Sequence, residues 1–90
     1  MIYMCLRYRV ADFRKWHETF VENESLRIAA GIKVENILRS QNDKNFLTIL
    51  YSVNSIDESE AFIAKVKNAD MLKKLTVESE MLVEYFDLFY

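Results

Sequence analysis

Few side chains in this sequence can do chemistry at neutral pH, and they lie apart. There is one histidine, His17, and one cysteine, Cys5. An imidazole at His17 can serve as a general base or proton shuttle if it opens on a pocket between helix and sheet. The structural alternative is a partly solvated histidine at a helix boundary. Cys5 sits in an apparent strand, where a thiol usually acts as a small buried hydrophobe. Reactivity would need a neighbour that lowers its pKa, and Arg7 is the only local candidate. A lone cysteine forms no internal disulfide, which fits a reducing compartment. One histidine and one distant cysteine do not make a zinc set, and no metal is expected. With one glycine in the chain there is no phosphate-cradling loop. The remaining polar candidates are Glu84 as a base and Arg7, Asn36, Tyr51 and Tyr85 as donors, none in a spaced motif. Trp16, Phe20 and Tyr51 could wall a ligand pocket, although the helical spacing of Trp16 and Phe20 already explains them as core.

These residues are positioned by elements that the periodicity predicts. In residues 2–10, Ile2, Met4, Leu6, Tyr8 and Val10 share one face, and Tyr3, Cys5, Arg7 and Arg9 the other. Asp12 can cap a helix whose apolar stripe is Phe13, Trp16 and Phe20. Asn23, Glu24 and Ser25 interrupt it, and Ser25 can restart a short helix that ends before Gly31, a left-handed C-cap position. Residues 32–39 form a second strand with Val34, Ile37 and Leu38 as apolar members. The polar run 40–45 is a turn into a third strand, Phe46 to Val53, so the two strands make an antiparallel hairpin. Ser55 and Glu58 have capping-box spacing. The helix they open is expected to bury Phe62, Ile63, Val66 and Ala69. Asn68 can cap a further short helix with Met71, Leu72 and Leu75 inward. Residues 81–90 form the last strand.

The order is βαββαβ, a ferredoxin-like α+β fold with a four-stranded antiparallel sheet and both helices on one face. Ninety residues make a single domain, 1–90. Hydrophobic residues make up 51% of the chain, and a chain of this size buries roughly 64% of its extended surface, enough for one core. The net charge is −2, with acidic and basic residues interspersed. Without a basic stripe to neutralise phosphates, nucleic acid is not an expected partner. No run approaches the ~18 apolar residues of a membrane span, and the N-terminus reads as a strand and not as a signal peptide. No membrane partner and a cytoplasmic location are therefore expected.

The strands at 46–53 and 81–90 carry apolar residues on both faces. Leu82, Phe86, Leu88 and Tyr90 oppose Met81, Val83, Tyr85 and Phe89. A sheet with one wet face should alternate apolar and polar residues. Two main helices cover only one face, so the other is expected to be covered by a second copy, giving a homodimer through the sheet. Glu84 and Asp87, set in this apolar strand, are expected to pair with Arg7 or Arg9 across the sheet or the dimer seam.

The run Val10-Ala11-Asp12-Phe13-Arg14-Lys15-Trp16, then Arg27 to Gly31, then Arg39-Ser40 before Asn42-Asp43 and Asn45, resembles the dimeric α/β-barrel superfamily. The similarity is greatest to its small antibiotic-biosynthesis-monooxygenase-like proteins. The matching residues serve caps, turns and core. The resemblance therefore implies a dimeric α/β barrel but does not select among the superfamily's cofactor-free monooxygenases, haem-degrading enzymes and isomerases. Haem-degrading relatives carry an iron-ligating histidine on the second main helix, and no histidine lies between residues 55 and 80. No cofactor is expected. Two readings follow. The first is a homodimeric protein that binds a small hydrophobic ligand or serves as a non-catalytic assembly. The second is a cofactor-free monooxygenase or isomerase acting on a small aromatic or polyketide-like compound, with His17 as base and Trp16, Phe20 and Tyr51 around the ligand. An interior filled by Trp16, Phe20 and Tyr51 would favour the first.

Overall fold

A computed structural model describes residues 1–90. Four strands, β1 (Ile2–Arg9), β2 (Ile32–Arg39), β3 (Phe46–Val53) and β4 (Leu82–Asp87), form one sheet in the order β2-β3-β1-β4, with every pairing antiparallel. Helices α1 (Phe13–Glu22) and α2 (Glu24–Ala29) follow β1, and α3 (Ile56–Val66) and α4 (Ala69–Lys74) follow β3. This is the ferredoxin-like βαββαβ plan, with its first and third strands central.

The core is one cluster between the helices and the sheet's inner face. From β1 it takes Met4, Leu6, Tyr8 and, just beyond the strand, Val10. From β3 it takes Leu47, Ile49, Tyr51 and Val53, and the helices add Trp16, Phe20, Phe62, Ile63 and Val66. The period-2 pattern of β1 therefore has the phase expected from the sequence. Ala69 does not join the core. It is the first residue of α4 and is exposed.

β2 breaks its own alternation, because the register shifts between Val34 and Asn36. A bulge there opposes two residues to one, so Val34 (opposite Tyr51) and Ile37 (opposite Ile49) both face inward although they are three positions apart. Glu35 is left to accept a hydrogen bond from Ser52 Oγ at 2.8 Å.

Caps set the helix limits. Asp12 accepts from the Lys15 N–H, Ser55 from the Glu58 N–H and Asn68 from the Met71 N–H, at 3.1, 3.1 and 2.9 Å. α2 begins at Glu24, one residue before the expected restart, and its Asn23 cap makes no side-chain bond. Gly31 ends the segment at φ +68° and is the only positive-φ glycine. The last strand is shorter than expected. β4 pairs only with β1, and the ladder ends with Leu88 N–H donating to Met1 O.

The polar turn 40–45 is tied back to β1. Arg9 donates from Nε to Asp43 Oδ2 at 2.7 Å and also pairs with Glu78. The Arg9 hydrogen bond holds the Asp43 carboxyl below the usual carboxylate range. Glu84 and Asp87 form no ion pair within the chain, contrary to the expected pairing across the sheet. Arg9 is engaged at the opposite end of β1, and Arg7 stands opposite Leu82 and Thr48.

Candidate functional site

The outward row of each strand makes up the free sheet face. Tyr3 lies between Ser52 and Phe86, Cys5 between Leu50 and Glu84, and Arg7 between Thr48 and Leu82. Leu82 and Phe86 are 51% and 44% exposed, and Leu88, Phe89 and Tyr90 extend beyond β4 almost unpacked. Burial pushes the Cys5 thiol up, Arg7 draws it down and Glu84 raises it further. A thiol so placed stays protonated and unreactive at neutral pH.

The inner face carries a column of rings. Phe13 and Trp16 stand 5.4 Å apart between centroids, and Trp16 and Phe20 4.7 Å apart. A guanidinium closes each end, with Arg39 3.7 Å over the Phe13 ring and Arg27 3.8 Å over the Phe20 ring. The i, i+3, i+7 spacing on α1 builds the column, and the sheet supplies its polar floor. Trp16 Nε1–H donates to the Tyr8 hydroxyl at 2.8 Å, which satisfies the indole of a fully buried tryptophan.

Arg27 is the unusual member, because it is 6% exposed and has no carboxylate within 4 Å. Its Nη1 donates to Phe20 O at 2.7 Å, taking up a carbonyl near the end of α1. Burial lowers its pKa, against the attraction of Tyr51, Glu24 and Tyr8. The tyrosines respond in the opposite sense. Burial pushes Tyr8 up to about 12, with the Trp16 bond and Arg27 opposing, and burial also raises Tyr51. Both are neutral phenols at physiological pH, able to donate a proton in a hydrogen bond but not to act as bases.

The structure thus brings Trp16, Phe20 and Tyr51 into one packed interior and leaves His17 outside it. His17 is exposed and stacks at 6.2 Å on the outer side of Phe13. Five surface concavities of about 210–470 Å³ have linings that include none of His17, Trp16, Phe20 or Tyr51. Three consecutive turns of α1 pack Phe13, Trp16 and Phe20 inward, and position 17 lies at the edge of that stripe. The other candidates are split by the sheet. Arg7, Asn36 and Glu84 belong to the outer face, and Tyr51 and Tyr85 to the inner one. Tyr85 shares a 2.7 Å hydrogen bond with the buried Ser59. Tyr8 was not among the expected polar groups. Its signal was its place on the apolar face of β1, where a phenol needs a partner.

Arg27 borders a groove of about 320 Å³ between α2 and β2, lined also by Glu24, Ile28, Ile32, Lys33 and Val34. No helix is long and apolar enough to cross a membrane.

The architecture defines the class: the chain has the ferredoxin-like fold of the antibiotic-biosynthesis-monooxygenase-like proteins. No protein-family model and no curated protein sequence matches it. Solved structures do match. A provisionally named antibiotic biosynthesis monooxygenase from Bordetella bronchiseptica superposes with a TM-score of 0.74 at 13% identity, over 99% of this chain and 97% of that one. SnoaB, a cofactor-independent oxygenase from Streptomyces nogalater, gives 0.70 at 13% identity over 99% and 93%. A provisionally named antibiotic biosynthesis monooxygenase from Caulobacter crescentus gives 0.67 at 16% identity over 99% and 90%. At these identities the likeness is one of fold.

Proposed function

We propose that this chain is a non-catalytic, homodimeric α/β-barrel protein that binds a small, largely apolar ligand beside the ring column. The packed interior carries the non-catalytic part of this reading. Trp16, Phe20 and Tyr51 are each at most 8% exposed, the nearby phenols are held neutral, and the one imidazole faces solvent. General acid–base catalysis needs a titrating group within reach of a bound substrate, and His17 borders none of these five concavities. The ligand's place is the α2–β2 groove, with Arg27 at its border and Phe20 and Tyr51 behind. The outer row of half-buried Tyr3 and Leu50 with exposed Leu82 and Phe86 supports pairing of two sheets, since soluble monomers seldom leave such a patch open. Sedimentation velocity at micromolar concentration should show a dimer, and a monomer would overturn the assembly. A thermal-shift screen with small aromatic compounds tests the ligand, because binding to the folded state raises the melting temperature.

A second reading, a cofactor-free oxygenase or isomerase acting on a small aromatic or polyketide-like compound, is favoured by the fold shared with SnoaB. It predicts oxygen uptake or product formation with electron-rich phenols in the absence of added metal. His17→Ala should abolish that turnover if His17 is the base.

A further inference from the structure

We infer that the groove between α2 and β2 recognises a small apolar monocarboxylate, with Arg27 as the anion-binding group. This rests on the reading that the groove holds a small ligand and assigns the ligand's chemistry. A guanidinium has five N–H donors. Arg27 spends one on Phe20 O and stacks its face on the Phe20 ring. No fully buried side-chain nitrogen or oxygen lacks a partner, so the guanidinium nitrogens without a bond keep some solvent contact, and Arg27 is one of the residues that line the groove. A nearly buried cation with no carboxylate within 4 Å is costly unless an anion joins it.

The lining chooses among anions. Arg27 and Lys33 bring two positive charges and Glu24 one negative charge, so the groove favours a single negative charge over a phosphate dianion. Ile28, Ile32 and Val34 make up the rest of the wall and suit an aliphatic or aryl body. The volume of about 320 Å³ admits only a small molecule. Planar carboxylates match the guanidinium fork.

Isothermal titration at neutral pH with two matched pairs, benzoate against benzamide and hexanoate against hexanamide, separates charge from shape. Each acid should bind about tenfold or more tightly than its amide, the scale of a charge-assisted hydrogen bond. Arg27→Gln should erase that preference. It also removes the bond to Phe20 and can unfold the chain, so two exposed positions carry the test independently. Glu24→Gln should tighten the acids several-fold and Lys33→Gln should weaken them several-fold, both leaving the amides unchanged. Equal binding of acid and amide, or acids indifferent to both exposed variants, overturns the inference while the ligand-binding reading stands. Failure of all four probes at millimolar concentration, with no thermal shift from uncharged aromatics, overturns both.

Discussion

At the residue scale, the interior is governed by polar atoms that had to be buried with their partners. Tyr8 and Trp16 each place a polar tip in the core, and their mutual bond satisfies the indole. Tyr8→Phe leaves the Trp16 N–H without an acceptor, and should cost about 1–3 kcal/mol in urea unfolding at neutral pH. The same substitution has an alkaline signature. Folding raises the Tyr8 pKa from 10.0 to about 12, so above pH 10 the unfolded chain loses its proton first. Stability that is fully present below pH 10 is then lost as pH rises towards 12, by roughly 2–3 kcal/mol from this group. Tyr8→Phe should flatten that decline, leaving the part due to Tyr51. His17 is the contrasting case. Removing an exposed ring with no recorded hydrogen bond should change stability by no more than about 0.5 kcal/mol. In the non-catalytic reading His17→Ala also leaves ligand affinity unchanged, which titration calorimetry on the variant checks.

At the element scale, caps and one bulge shape the molecule. Asp12, Ser55 and Asn68 were readable as caps because each is a short acceptor side chain directly before an apolar stripe. The bulge in β2 was not. Val34 and Ile37 are three apart, which no strict alternation accommodates, and the extra residue has no signature of its own. Gly31 was readable from its place after α2, and the structure adds a second reason for it. Beyond the +68° φ, a Cβ there would lie 2.9 Å from Asn54 Cγ. Gly31→Ala should therefore destabilise by about 1–2 kcal/mol through the left-handed backbone, and Gly31→Val by more. Thermal melts of the two variants measure this, and an unchanged melting temperature for Gly31→Val would refute it.

At the scale of the whole molecule, the sheet has one face covered by its own helices and an outer face where apolar Tyr3, Leu50, Leu82 and Phe86 stand among polar residues. Phe86→Asp places a charge on the exposed row beside Tyr3, and does not touch the core cluster. It should shift sedimentation from dimer to monomer while the circular dichroism spectrum stays that of the parent chain. A parent-like sedimentation coefficient would remove the sheet face as the contact.

The sequence by itself determined the element order, the phase of β1, the caps, and the presence of apolar residues on both sides of β3 and β4. These depend on neighbours within a few residues, where period and capping chemistry act. Only the tertiary structure decided which candidates meet. His17 and Trp16 are adjacent in the chain, yet a 100° step around α1 sends one to solvent and the other to the core. Arg27 stands in the last turn of α2 and is nevertheless buried. Its burial follows from α2 packing across β2, a long-range contact that a charged residue does not announce. In the proposed reading, ligand recognition accordingly falls to a buried guanidinium beside two neutral phenols and not to the lone imidazole.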